Sequence, residues 1–232
     1  MEQDLIDDGS VFALDFDGVI CDSVDESSVS AFRAAKVLWP DIMNVPRLEE
    51  MPMWMLQKMR RVRVVVESGY ENVLLIRLLW SEQRVQERSD IGTRALQESE
   101  IIENWISIRE LLLRKYSTTE QELTHQFEKE RDDWIVSNEI EWCESNRIYP
   151  GLQHALNVCR NPIYIVTTKS NRFVIALLKY FQIDSIPDSH IYGRDQGLKT
   201  KTMKLISEFH PHSTIHFVED RLEALIKIQK MY

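Results

Sequence analysis

Asp15 and Asp17 stand one residue apart in the stretch Asp15-Phe16-Asp17-Gly18, directly after the apolar run Val11, Phe12, Ala13 and Leu14. Side chains alternate faces along an extended strand, so both carboxylates point the same way from its carboxyl end. There one metal ion can hold both. Gly18 lets the backbone turn sharply and approach a ligand closely, and Asp22 and Ser23 are candidate caps for a following helix. Taken alone, the same acids also suit an ordinary turn that closes a strand.

An acid pair with a chemical purpose needs partners from other strands, and the chain beyond residue 145 supplies them. Tyr149-Pro150-Gly151 reads as a turn, followed by a short helix over 152–158. The β-branched run Ile163-Tyr164-Ile165-Val166 reads as a strand ending in Thr167. A helix over 171–181 follows, capped by Ser170 or Asn171, then a short strand over 190–192 and a helix over 200–209. The last strand, 214–218, leads into Glu219 and Asp220, and Lys199 opens the helix before it. Strands alternating with helices imply a parallel sheet with right-handed crossovers, and ligands of such sheets bind beyond the carboxyl ends of the strands.

The first strand, 11–16, must join this sheet from across residues 24–145, a region helical in period almost throughout. Ile101, Ile102, Trp105, Ile108, Leu111 and Leu112 form a helical stripe. Ser117 and Glu120 resemble a capping box that opens another helix, with Leu123, Phe127 and Trp134 on its apolar side. Further helices fit 27–38 and 73–86. The expected fold class is therefore α/β: a Rossmann-like three-layer core of residues 1–23 and 146–232, interrupted by an all-helical domain of residues 24–145. Hinges are expected near 22–27 and 146–149.

Four separated segments thus bring several acids, one hydroxyl and one ammonium to a single sheet edge, a set suited to phosphoryl transfer. Oxygen ligands from Asp15 and Asp220, completed by water and phosphate, fit a hard, octahedral Mg²⁺. The cation offsets repulsion that would otherwise protonate one of the clustered carboxylates. One acid can attack phosphorus to give an aspartyl-phosphate. A second must protonate the leaving alcohol and later activate water. Thr167 and backbone N–H groups after Asp15 would hold the phosphoryl oxygens, with Lys199 offsetting their charge.

Bulk composition narrows the partners. The 232 residues carry a formal net charge of -9, with 44% hydrophobic and 28% charged residues. That balance describes a soluble globular protein and argues against nucleic-acid or anionic-membrane partners. No apolar stretch reaches membrane-spanning length, and the opening MEQDLIDD is acidic where a targeting signal would be basic. Cys21, Cys143 and Cys159 are widely spaced and match no metal-ligand pattern. They read as reduced thiols, and the expected location is cytoplasmic.

With these residues in view, the sequence resembles the haloacid dehalogenase (HAD) superfamily over nearly its whole length. DFDGVICDS is similar to the first motif, TTK from Thr167 to the second, Lys199 to the third and FVEDR from Phe217 to the fourth. The resemblance implies Asp15 as nucleophile, Asp17 as general acid/base, Thr167 and Lys199 as phosphate ligands, and Asp220 as a metal ligand. Asp15 and Asp17 would share that metal. Residues 24–145 would be an enlarged C1 cap closing over the site, and Tyr149-Pro150-Gly151 resembles the re-entry to the core in phosphoglycolate-phosphatase-like members. The implied activity is a Mg²⁺-dependent phosphatase of a small phosphorylated metabolite. Glu219 stands where many phosphatases have Gly; in mutase-like members this Glu joins the metal shell, so a phosphomutase is the second reading. A catalytically inactive HAD-fold binding or scaffold protein, suggested by the large Trp-rich insertion, is the third, although the intact motif acids argue against it. The later acid of the fourth motif falls near Ala224, with Glu223 as its neighbour. Members usually continue into a further helix and strand after this motif, so an exposed sheet edge is expected. Lys169 and Lys201 are rivals of Lys199; its spacing from Asp220 favours Lys199. In the insertion, Arg60, Arg61 and Arg63 read first as a solvated helix face and second as contacts for an anionic substrate; Gly69-Tyr70 is a turn, with entry into the cleft its second reading. His210, His212 and His216 read as surface or strand residues rather than a zinc site.

Overall fold

The central strand, β1 (Ser10–Leu14), is buried because its apolar run is flanked on both edges by parallel neighbours. The computed structural model describes residues 9–43, 50–87 and 95–231; the acidic opening at 1–8 lies outside them. Two compact units result, Met1–Ser23 with Asn146–Tyr232 and Val24–Ser145. In the first unit the remaining strands are β2 (Cys21–Asp22), β3 (Arg147–Ile148), β4 (Ile163–Val166), β5 (Ile191–Tyr192) and β6 (Thr214–Val218). A parallel sheet runs in the order β5-β4-β1-β6, and β2 pairs antiparallel with β3 in a separate ribbon. Pairing of β1 ends at Leu14, two residues before the predicted end, because the chain then coils. Ile20 and Cys21 both donate N–H groups to the Phe16 carbonyl, and Gly18 N–H donates to the Cys21 carbonyl.

The second unit is helical among its described residues: α1 (Val24–Leu38), α2 (Pro40–Met43), α3 (Met53–Val62), α4 (Tyr70–Glu87), α5 (Glu98–Lys115) and α6 (Glu120–Glu144). Helix α1 packs chiefly on α4 and α6. Trp80, Trp105, Trp134 and Trp142 are buried here, as core packing requires. The capping box sits two residues later than predicted. Thr119 accepts from the Glu122 N–H and Glu122 from the Thr119 N–H, while Ser117 takes a positive φ of 50° after α5. Asn138 breaks the helical dihedrals inside α6, and its side chain accepts from the Glu141 N–H as a second cap would.

A buried carboxylate ties α1 to α6. Glu26 receives two hydrogen bonds from Arg131, at 2.7 and 2.6 Å, one from Trp142 Nε1 at 3.1 Å and one from Ser30 Oγ at 2.8 Å. A charge this deeply buried is tolerable only when so fully paired. Two of the three arginines named in the insertion have local acidic partners as well. Arg60 forms a two-pronged pair with Asp25, and Arg61 with Glu98. Gly69 packs against the Phe127 ring, and buried Tyr70 donates its hydroxyl to Glu120.

Back in the first unit, α7 (Leu152–Val158), α8 (Asn171–Tyr180), α9 (Lys199–Phe209) and α10 (Leu222–Gln229) complete the layers around the sheet. Val11, Ala13, Tyr164 and Val166 form one core with Met203, Ile206 and Ile228 from α9 and α10. Strand β6 lies at the sheet's edge and alternates exposed Thr214, His216 and Val218 with half-buried Ile215 and Phe217. His216 stacks on Phe12 at 5.3 Å, and His210 hydrogen-bonds the Tyr164 hydroxyl at 2.8 Å.

Candidate functional site

Strand register brings the acids together. Leu14 lies opposite both Ile165 and Val218, so Asp15, Thr167 and Glu219 leave neighbouring strands at the same end of the sheet. Asp15 N–H donates to the Val218 carbonyl at 2.9 Å, and Thr167 N–H to the Tyr192 carbonyl at 3.0 Å, which extends the ladder to the site's floor. Asp15, Glu219 and Asp220 each offer a carboxylate oxygen within 4.8 Å of the others, the one such group of metal-ligating side chains among the described residues.

Lys199 opens α9 beneath this group. Its Nζ lies 3.0 Å from Asp15 Oδ2 and 2.6 Å from Glu219 Oε2. Arg221 N–H donates to Glu219 Oε1 at 3.3 Å. Asp15 Oδ1, by contrast, is buried with no hydrogen-bond partner. A buried carboxylate oxygen left bare costs free energy unless a ligand takes it up. Three clustered carboxylates against one ammonium also leave the group short of positive charge. Hard oxygen donors, a bare buried oxygen and excess negative charge fit a divalent cation.

The electrostatics agree. Burial pushes the Asp15 carboxyl above the usual carboxylate range; Lys199 opposes this, and the Asp17 charge adds to it. Burial and the neighbouring Asp15 push Glu219 up to about 7, against the pull of Lys199. Burial works to lower Lys199, but the Asp15 and Glu219 carboxylates outweigh it and hold the ammonium above its ordinary value.

Gly18 makes the cluster geometrically possible. Its φ is +82°, and a Cβ there would lie 2.2 Å from Asp220 Oδ2 and 2.6 Å from Asp220 Cγ. Only glycine combines that turn with so close an approach. Thr167 is buried, and its Oγ1 accepts the Lys169 N–H at 3.2 Å, which leaves the hydroxyl proton free to donate elsewhere.

Asp17 is placed differently from the other acids. Its carboxylate receives Lys169 Nζ at 2.9 Å and does not belong to the three-acid group, which departs from the expectation that Asp17 shares the metal. Lys169, expected as a rival of Lys199, is instead a second cation at the same end of the sheet. Its signal was present in the sequence: it lies two residues past the strand-ending Thr167. Lys201 is exposed on α9. Glu223 is exposed and lies 3.8 Å from Arg221.

Comparison with known proteins adds the following. The family model of haloacid dehalogenase-like hydrolases matches residues 10–221. A crystal structure of a predicted phosphoglycolate phosphatase from Haemophilus somnus 129PT superposes with a TM-score of 0.53 at 16% identity, covering 94% of this chain and 81% of that one. A HAD-superfamily hydrolase of subfamily IA, variant 1, from Geobacter sulfurreducens PCA gives a TM-score of 0.48 at 15% identity, covering 95% and 82%. No curated protein matches the sequence.

Proposed function

The chain belongs to the haloacid dehalogenase-like hydrolases, and from that premise we propose that it is a Mg²⁺-dependent phosphatase of small phosphate monoesters. The observation that carries the reading is Asp15: a buried carboxylate at a strand end, with Oδ2 held by Lys199 and Oδ1 bare. An acid fixed in this way is an oriented nucleophile. Asp15, Glu219 and Asp220 would hold the cation, which when bound offsets the charge of the phosphoryl group.

In the reaction proposed, an Asp15 oxygen attacks phosphorus while the bond to the alcohol oxygen breaks. Asp17 gives that oxygen its proton. Asp17 then takes a proton from water, whose oxygen attacks phosphorus, and the bond to Asp15 breaks to release phosphate. The Thr167 hydroxyl and Lys199 steady the phosphoryl oxygens. Small phosphorylated metabolites are the substrate class, and the helical unit is the cap of this family's C1 type. A cytoplasmic enzyme is the setting that the composition suits.

Glu219 favours a second reading. Its carboxylate belongs to the metal-ligating group, as a phosphomutase would use it, and a bisphosphate requirement with little phosphate release would select that reading. The test is phosphate release across a panel of phosphate monoesters with Mg²⁺, with a chelator, and with Asp15→Asn. Metal-dependent release that Asp15→Asn abolishes is expected. Full turnover by Asp15→Asn would overturn the assignment, and a folded wild-type protein inert toward the whole panel would favour the binding-protein reading.

A further inference from the structure

The site holds two lysines, and the proposed chemistry uses only Lys199. Lys169 is the more deeply buried: its side chain is 0% exposed, against 16% for Lys199. An ammonium is expensive to bury, and this one is directed at the Asp17 carboxylate at 2.9 Å, with the Phe16 ring 5.8 Å from Nζ.

Its backbone is held on both sides. The Lys169 N–H donates to Thr167 Oγ1, and its carbonyl accepts the Arg194 N–H at 3.2 Å. Gly193, beside that contact, has no room for a Cβ, which would lie 2.4 Å from the Lys169 carbonyl oxygen. The Gly193 N–H is bound in turn by Asn171 Oδ1 at 2.5 Å. The loop after β5 and the start of α8 thus hold the backbone of a lysine whose head meets Asp17.

We propose that Lys169 is a positioning residue for Asp17: it holds this acid toward the leaving-group oxygen while Lys199 serves Asp15. The proposal rests on the phosphatase reading above. Each acid then has its own buried cation, so the two neighbouring carboxylates keep different tasks. A general acid that is misplaced by about 1 Å loses on the order of 10²-fold in rate, and the loss falls on substrates whose leaving group needs protonation.

Substituted phenyl phosphates separate this role from a merely structural one, because they share a shape and differ in leaving-group basicity. The measurement is kcat/KM along a series from p-nitrophenyl phosphate to phenyl phosphate, for wild type, Lys169→Met, Lys169→Gln and Asp17→Asn. Because kcat/KM reports steps up to alcohol release, the dependence on the leaving phenol should steepen in both lysine variants. Phenyl phosphate should lose about 10-fold or more beyond the loss for p-nitrophenyl phosphate. Lys169→Arg should restore the shallow dependence in part, and in the Asp17→Asn background Lys169→Met should not steepen it further. A uniform loss across the series, or steepening that persists without the Asp17 carboxylate, overturns the proposal. Wild-type protein that cleaves none of the series would instead overturn the phosphatase reading, and this inference with it. If Lys169→Met fails to fold, the same comparison is made with Lys169→Gln.

Discussion

Gly18→Ala is the most discriminating single perturbation of the site. The new methyl group would sit 2.2 Å from Asp220 Oδ2 and 3.2 Å from Asp220 Cβ, on a backbone with φ +82°. The left-handed conformation costs a non-glycine residue roughly 1–2 kcal/mol. Steric conflict adds little to this, because Asp220 is exposed and its carboxylate can swing away. Removal of that carboxylate from the group of three is what matters. Stability without metal should therefore fall by about 1–2 kcal/mol, or a few degrees in Tm for a chain of this size. Cation affinity should fall by about 10-fold or more. With Mg²⁺ at about 100 times the wild-type Kd, binding stabilises wild type by about 2.7 kcal/mol, and 10-fold weaker binding leaves about 1.4. Thermal melts of both proteins with and without Mg²⁺ measure the two effects separately. A Gly18→Ala protein that keeps the full wild-type Mg²⁺ shift would refute the claim that Asp220 is held in the metal group by the absent Cβ.

Two further outcomes follow from the charges. Glu219 is pushed up to about 7 from its ordinary 4.5, so the metal-free folded protein binds more protons than the unfolded chain between those values. Its contribution to stability is complete below pH 4.5 and is lost as pH rises through about 7. Binding of a divalent cation within that window should expel protons, seen as a buffer-dependent heat in calorimetry; proton uptake would contradict the assignment. In the helical unit, Arg131→Leu leaves the buried Glu26 carboxylate without its guanidinium and should cost about 3–5 kcal/mol in denaturant unfolding. Adding Glu26→Leu to it should recover much of that loss, and a cost under about 1 kcal/mol for the single change would show that the pair carries no such weight.

Three of the sheet's four strands were legible because each is short and closed by a residue with chemistry: Asp15 after β1, Thr167 after β4, Glu219 after β6. Lys199 was legible as the first residue of α9. The two-residue strands β2 and β3 were not, since a ribbon that short has no period to read. Asn138 inside α6 interrupts a long polar pattern with one local hydrogen bond, which periodicity does not register. The partnerships of Glu26 with Arg131 and of Asp17 with Lys169 escaped the sequence for a different reason. They join residues 105 and 152 positions apart, and pairing at such range depends on packing. The arginines on α3 carried a charge pattern that reads first as a solvated face, and only geometry assigned Arg60 and Arg61 to Asp25 and Glu98.

The most direct test of the central claim is to quench the wild-type enzyme in acid during turnover and locate any phosphoryl group by peptide mass spectrometry. The account predicts one phosphoryl group on the peptide containing Asp15, absent from Asp15→Asn and lost as phosphate on mild alkaline treatment. A phosphoryl group found on another residue, or turnover undiminished in Asp15→Asn with no phosphorylated peptide, would contradict it.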